Sequence, residues 1–296
     1  MLSVVILNWN AAEDTIRCAR EVAGWEEVRP SIWVVDNASA DDSADRIAQA
    51  CPSAHLIRSR ENLGFAGGTN LGIQAALAAS DAPVLLLNND AEISGADVAR
   101  LVQTLAENPQ IGFVVPLLYD ESGALIAAGG KNPVKHMQTR VRELPEGAVG
   151  KVEVVSGTAV LIRPDVFHQV GLLDERFFFS TEIADLCLRA NKVGAGCVVD
   201  RRAKASHAVS RSSHWRSTLY VYYIVRNRFL ILRNHYRYNV PLFLFWAAYS
   251  LALAGKLWLD GQRPSARAVW LALWDGVRGR FGDQNQRVMG TTDETV

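Results

Sequence analysis

Short apolar runs and helix-spaced segments alternate along the first 115 residues. Leu2–Leu7, Ser31–Val35, Ala54–Ile57, Pro83–Leu87 and Ile111–Leu118 read as strands, and the Pro83–Leu87 run is continuous enough to be buried on both faces of a sheet. Between them, Ala11–Ala23, Asp41–Cys51, residues 66–80 and Ser94–Glu107 have the spacing of helices packed by one face. This alternation predicts βαβ units, hence an α/β fold with a mostly parallel sheet flanked by helices. The second half is less regular. Residues 119–150 read as loop, Val152–Ile162 as a strand or strand pair, Pro164–Val170 and Glu182–Val193 as helices, and Cys197–Val199 as a last strand. From Ser217 onward the pattern is helical and aromatic.

Composition changes this picture little, and charge distribution changes it more. The 296 residues are 49% hydrophobic and 21% charged, which excludes general disorder. Lys+Arg and Asp+Glu are 31 each, but residues 201–282 carry a net +12, residues 283–296 a net −2 and residues 1–200 a net −10. The chain therefore divides into an acidic body, expected over residues 1–215, and a basic, aromatic-rich helical region over residues 216–296. Cys18, Cys51, Cys187 and Cys197 are far apart with no C-x-x-C pair, which argues against a zinc site or a disulfide framework. MLSVVILNWN has no basic n-region, so a reducing, cytoplasmic setting is expected.

Polar residues collect where the strands end, the place where open α/β sheets bind ligands. Asn8 and Asn10 follow the first strand, Asp36 the second and Asn88-Asn89-Asp90 the fourth. A carboxylate beside amides suits a hard cation such as Mg²⁺ or Mn²⁺, and equally suits a turn. Asp36 could bind a base or ribose, or cap the next helix. The glycine-rich run Asn62–Asn70, with Gly64 inside it, could face an anion or serve close packing. It lacks G-x-G-x-x-G, so a dinucleotide-binding oxidoreductase is disfavoured. Glu182 and Asp185 share a helix face; either could be a general base, or Glu182 a helix-terminus acid and Asp185 an ion-pair partner of Arg189. His207 is a metal- or phosphate-ligand candidate, or structural.

Taken in order, VVILNWN (4–10), VVDNASADDS (34–43), ENLGFAGGTN (61–70), LLLNND (85–90), SGTAVLIRPDVF (156–167), VGLLDERFFF (170–179) and DLCLRA (185–190) resemble the family-2 glycosyltransferases of the GT-A fold, and within them the rhamnosyltransferase-like subgroup. The resemblance implies inverting transfer from a nucleoside-diphosphate sugar (dTDP- or UDP-linked) to a hydroxyl of a glycan or lipid-linked acceptor in surface polysaccharide synthesis. It implies that Asp36 holds the pyrimidine and that Asn8, Asn10, Asn62, Gly64, Asn70 and Asn89 line the nucleotide-sugar pocket. Asp90, with His207, would bind the Mg²⁺ or Mn²⁺. The family's Glu-Asp-x-Asp helix start is Glu182-Ile183-Ala184-Asp185 here, so Glu182 or Asp185 takes over as base, or the chain is a non-catalytic nucleotide-sugar-binding subunit.

The basic tail has its own expectation. Tyr238–Gly255 runs 18 residues without a charge, slightly short of a membrane span of about 20 residues. Over Ser265–Phe281, Ala266, Trp270, Trp274, Val277 and Phe281 recur on one face with Arg267 and Arg278 at its edge. Basic residues beside Trp and Leu suit an anionic membrane surface, which predicts a peripheral protein on the inner face of the plasma membrane. Packing on the body or a homodimer seam is the alternative. No nucleic-acid partner is expected, because no matching fold motif accompanies the arginines.

Overall fold

The computed structural model describes residues 1–144, 146–208 and 214–290, with the side chains of 214–217 left aside. It begins with β1 (Leu2–Asn8), α1 (Ala12–Ala23), β2 (Pro30–Asp36), α2 (Ser43–Ala50), β3 (His55–Arg58), α3 (Gly64–Ala79) and β4 (Val84–Asn88). There follow β5 (Ala91–Ile93), α4 (Gly95–Glu107), β6 (Ile111–Asp120), β7 (Leu125–Ala127), β8 (Val149–Val152), β9 (Ala159–Ile162), α5 (Pro164–Val170), a 3₁₀ turn (Glu175–Phe177), α6 (Glu182–Lys192) and β10 (Gly196–His207). Helices α7 (His214–His235), α8 (Val240–Leu259), α9 (Arg263–Arg278) and α10 (Asn285–Met289) complete the described chain. Helix α7 thus starts just ahead of the boundary expected at 215/216.

One sheet runs β3-β2-β1-β4-β9-β6-β10-β5, with β7 on β6 and β8 on β10. It is more mixed than expected. The β2–β3, β1–β2, β1–β4 and β6–β10 pairs are parallel, while β9 lies antiparallel between β4 and β6, and β5 pairs antiparallel with β10. The period of two divides the strands between two cores. Val4, Ile6, Leu85, Leu87 and Leu161 face α1, α2 and α4; Val5, Leu86, Val160 and Ile162 face α3, α5 and α6. Fully burying each such side chain contributes about 1.5–3 kcal/mol.

Two local features position the rim. On α3, a Cβ at Gly72 would collide with the Val5 side chain and one at Gly68 with Leu7, so the glycines serve close helix–sheet packing. Strand β10 is much longer than the expected Cys197–Val199. Beyond Asp200 it continues as Arg202 and Lys204 outward and Ala203 and Ala205 inward, past a register shift against β6. Its small buried residues are alanines, which carry little apolar signal, yet this extension brings His207 opposite Ala91 of β5.

A third core joins Val134, Phe177 and Phe178 to Tyr222, Phe229, Trp246, Val269 and Leu273, so the C-terminal helices pack on the body through α7. Gly276 lets α9 approach Phe229, whose ring a Cβ would meet at 2.6 Å.

Candidate active site

The parallel register aligns the strand ends. Asn8 of β1 pairs with Asp36 of β2, and Leu7 with Asn88 of β4. Their side chains form one hydrogen-bond chain. Asn8 Nδ2 donates to Asp36 Oδ1 (2.7 Å) and Ser39 Oγ (3.0 Å), Thr15 Oγ1 donates to Asn8 Oδ1 (2.7 Å), and Asn89 Nδ2 donates to Thr15 Oγ1 (2.9 Å). Ser39 Oγ also donates to Asp36 Oδ1 (2.6 Å), and Asn10 Oδ1 accepts from Ala40 N (2.8 Å). The turn is tight enough to hold Asn10 and Ala38 at positive φ. Asp36 Oδ2 accepts only the Ser39 amide at 3.2 Å among these contacts, which leaves acceptor capacity toward a ligand N–H or hydroxyl.

Asn62 joins the same rim. Its Oδ1 accepts from Asn37 Nδ2 (2.9 Å) and from Gly64 N (2.9 Å), and Asn37 Nδ2 reaches Gly64 O (3.1 Å). Gly64 is at φ +69°, beneath the Phe178 ring, where a Cβ would lie 2.6 Å from Cδ2.

Two expected pocket residues are used differently. Asn8 is fully buried with both amide ends engaged, so it orients Asp36 and Thr15 rather than facing a ligand. Asn70 is 2% exposed and fastens α3 to the loop and 3₁₀ turn that follow α5: Nδ2 donates to Leu173 O (2.9 Å) and Glu175 Oε1 (3.0 Å), and Oδ1 accepts from Leu173 N (3.1 Å).

At the next position along the rim, Asp90 Oδ1 lies 3.1 Å from His207 Nε2, both partly exposed. One carboxylate oxygen and one imidazole nitrogen are donors suited to a hard divalent cation such as Mg²⁺ or Mn²⁺. Among the described residues no cluster of three or more His, Cys, Asp or Glu accompanies them.

The two acids of α6 face opposite situations. Asp185 is fully buried; its carboxylate accepts from Arg189 Nε (2.7 Å), Asn234 Nδ2 (3.1 Å) and His235 Nε2 (2.8 Å). Burial alone would raise its carboxyl, but the His235 hydrogen bond and the Arg189 and Asn234 contacts outweigh it and hold it below the usual range. Enclosed in this way, Asp185 ties α6 to α7 and is not placed to take a substrate proton. Glu182 is 6% exposed and its Oε2 has no hydrogen-bond partner among the described residues. Burial, with the nearby Asp185 charge, pushes it up to about 7. Ile183 lies in the core against Gly157, where an added Cβ would be 2.9 Å from Cγ1.

The segment entering α6 is strained. Phe178, Ser180 and Thr181 all have φ between 60° and 69°. Such non-glycine conformations cost about 1–3 kcal/mol each and collect at functional sites. Sequence reading missed this strain, along with Thr15 and Ser39 at the rim and Asn234 and His235 behind Asp185. Of these, Ser39, inside the VVDNASADDS segment, and Phe178, inside VGLLDERFFF, stood in motifs already singled out.

The model of Glycosyl transferase family 2 matches residues 3–171. The dTDP-rhamnosyl transferase RfbF of Shigella flexneri is 28% identical over 84% of this chain and 86% of its own. The N-acetylglucosaminyl-diphospho-decaprenol L-rhamnosyltransferase of Mycobacterium tuberculosis is 26% identical over 72% of this chain and 78% of its own. Among solved structures, the mannosyltransferase PcManGT of Pyrobaculum calidifontis, in complex with GDP-Man and Mn²⁺, superposes with a TM-score of 0.59 at 14% identity, covering 94% of this chain and 87% of its own.

Proposed function

The chain belongs to glycosyl transferase family 2 and is a nucleotide-sugar glycosyltransferase of glycan or polysaccharide synthesis with the GT-A fold, and from that premise we propose that it moves a rhamnosyl or hexosyl unit, with inversion, from a dTDP- or UDP-sugar to a hydroxyl of a lipid-linked glycan. Asp36 binds the pyrimidine or ribose, with Asn10, Asn62, the Gly64 turn and Asn89 lining the donor and Asn8 holding Asp36 in place. Asp90 and His207 would hold a divalent cation. When bound, that ion neutralises charge on the departing diphosphate.

Glu182 is the general base. It takes the acceptor hydroxyl proton as that oxygen attacks the anomeric carbon; the bond to the diphosphate breaks, and its electron pair leaves with the nucleoside diphosphate. A base poised near neutral pH suits this step. The observation that carries the assignment is the buried Glu182 Oε2, without a hydrogen-bond partner among the described residues, beside an Asp185 engaged by Arg189 and by Asn234 and His235 of α7. A non-catalytic subunit is not favoured, since the family and its relatives are transferases.

Helices α8 and α9 serve as the cytoplasmic membrane-facing part. Helix α8 is long and apolar enough to cross a membrane by length and composition, with mean hydropathy 1.5, and 11% of that stretch is buried. Leu244, Phe245, Leu251, Trp258 and Leu259 of α8 and Trp270 and Trp274 of α9 are exposed, and Lys256, Arg263, Arg267 and Arg278 lie among them. The proposed arrangement is peripheral, with these residues in the headgroup region.

The test is nucleoside diphosphate release from a panel of dTDP- and UDP-sugars, with a polyprenyl-diphosphate-linked N-acetylglucosamine as acceptor. Acceptor-dependent release from one donor, lost on chelation and restored by Mn²⁺ or Mg²⁺, is the expected result. Donor binding without release from any member of the panel would return the chain to the non-catalytic reading.

A further inference from the structure

Two adjacent side chains of α7 reach into the strained segment that delivers Glu182. Asn227 is fully buried, and its Nδ2 lies 2.8 Å from Phe179 O, 2.7 Å from Ser180 O and 3.2 Å from Phe177 O. Arg226, also fully buried, donates through Nη2 to Phe177 O (2.8 Å) and Arg176 O (3.2 Å), and through Nη1 to Gly282 O (2.6 Å). Its Nε and Nη2 donate to Asn227 Oδ1 at 2.9 and 2.7 Å, which fixes the amide with its NH₂ group toward the carbonyls. The rings of Tyr223, Tyr222 and Phe281 stand 4.7, 5.5 and 5.7 Å from the guanidinium.

This is an unusual use of a buried charge. Among the described residues the cation has no carboxylate in hydrogen-bond contact; its partners are main-chain carbonyls and an amide, with the Asp275 charge reaching it from behind Tyr222. Removing a guanidinium from water costs several kcal/mol, so a simple packing role is better served by an apolar side chain. What the pair supplies instead is a set of donors to the carbonyls of residues 176, 177, 179 and 180; Arg176 O also accepts from Gly282 N (2.8 Å), Phe177 O from Phe179 N (2.7 Å) and Ser180 O from Thr181 Oγ1 (2.6 Å), so of these four Phe179 O is the one served by Asn227 alone. The intervening carbonyl, Phe178 O, accepts from Ala66 N of α3 at 3.3 Å. The segment is thus gripped from α7 on one side and from the donor turn on the other.

We propose that Arg226 and Asn227 are positioning residues for the transfer reaction: they clamp residues 176–180 in the strained conformation that presents Glu182 to the acceptor hydroxyl. The inference rests on the assignment of Glu182 as base, and it makes α7 part of the catalytic unit rather than an appendage. Without the clamp, the segment relaxes toward ordinary backbone angles and Glu182 leaves its place, while the donor rim on β1, β2 and β4 is untouched.

The experiment uses the full chain carrying Asn227→Asp. The carboxylate keeps the Arg226 contacts but has no hydrogen to donate to the carbonyls. Expected are a fall of at least tenfold in kcat with the panel-identified donor, a KM for that donor and a Kd for dTDP or UDP within twofold of wild type, and at least tenfold faster amide exchange over residues 178–185. Asn227→Ser, with one hydroxyl donor, is used if the aspartate variant does not fold, and is expected to fall between the two. Unchanged exchange and kcat in a folded variant would overturn the clamp, as would a loss carried wholly by KM. If Glu182→Gln retains full turnover, the base assignment fails instead, and the exchange and kcat of the Asn227 variant still decide whether the segment is held for catalysis.

Discussion

At the proposed donor rim, Asn8, Asp36, Ser39, Thr15 and Asn89 complete one another's hydrogen bonds, so the strand ends are held in place by the protein's own groups. The 177–182 segment is the reverse: three non-glycine residues at positive φ lead to a buried carboxyl oxygen without a partner among the described residues. The contrast follows from what each region must do. A binding rim gains from preorganised polar groups, which bind without reorganising. A base must instead be kept less stable as an anion than it is in water, so that it accepts a proton near neutral pH. The rim is therefore self-sufficient, and the segment is held by neighbours, above all α7.

The sharpest way to break this comparison is Glu182→Gln. It is expected to lower kcat by about 10²–10⁴-fold, the range of a lost general base, with donor KM little changed. Wild-type kcat should rise with pH through about 7, as Glu182 ionises, and the residual activity of the variant should lose that limb. Stability should move the other way. A carboxyl raised from 4.5 to about 7 binds its proton more tightly folded than unfolded. Its contribution is full below the unfolded value and is lost as pH rises through the folded one. The glutamine variant should therefore match wild type near pH 4 and exceed it at pH 8, by up to roughly 3 kcal/mol in denaturant titrations. A variant that is both inactive and less stable at pH 8 would mean that Glu182 holds the fold together.

Asp185→Asn, one turn along α6, should give the opposite pattern. Removing one partner of a buried pair typically costs about 3–5 kcal/mol, because the other charge is left uncompensated. Arg189 and His235 would be the groups left. The wild-type carboxylate, held below its usual range, stabilises the fold at neutral pH and loses that effect as pH falls. The variant should unfold earlier in urea at pH 7 by a margin that shrinks on acidification, yet whatever remains folded should keep its acidic limb. At the rim, Asp36→Asn exchanges a charged acceptor for a neutral one. Donor KM should rise about tenfold, as hydrogen bonds to charged groups contribute about 1.5–3 kcal/mol, with kcat within a fewfold of wild type.

What could be read from the sequence follows the same division. The rim was legible, because parallel strands end at one edge and Asn8, Asp36 and Asn88-Asn89-Asp90 stand directly after apolar runs. Which way each amide points was not: Asn8 and Asn70 have both ends engaged inside the protein, and a letter in a sequence does not state its partners. The far half of the sheet was partly hidden. Strand β10 alternates charged residues with alanines, so its period of two was too faint to extend past Val199, and β5 is three residues long. The α6 acids were ambiguous at i and i+3 because the groups that separate them, Asn234 and His235, lie about 50 positions away in the chain. The clamp on residues 176–180 was illegible for the same reason. On α9, the expected stripe divides: Ala266 is buried, whereas Trp270, Trp274 and Val277 face outward.

That outward stripe gives the smallest expected effect and a second contrast with the self-sufficient rim. Leu259 is 86% exposed, Leu244 61% and Trp258 59%, while Trp246, four residues past Leu242, is buried and donates its indole N–H to Val134 O at 2.9 Å. The inner side of α8 is thus a folded contact and the outer side is not. Arg278 lies 3.9 Å from the Trp274 ring and Arg263 5.5 Å from Trp258, so the cations stand beside the aromatic residues that would enter a headgroup layer. Replacing Trp258 and Trp270 by Ser should leave the melting temperature within about 2 °C, since exposed positions change stability by about 0.5 kcal/mol or less. Sedimentation with vesicles containing anionic lipid should fall severalfold, and wild-type binding should weaken as salt rises, because basic residues near such a surface contribute about 1 kcal/mol each through a screened potential. Turnover with a water-soluble acceptor should stay unchanged. Wild-type protein that ignores vesicles but sediments as a dimer, with the serine variant monomeric, would assign the same stripe to a seam between two copies of the chain.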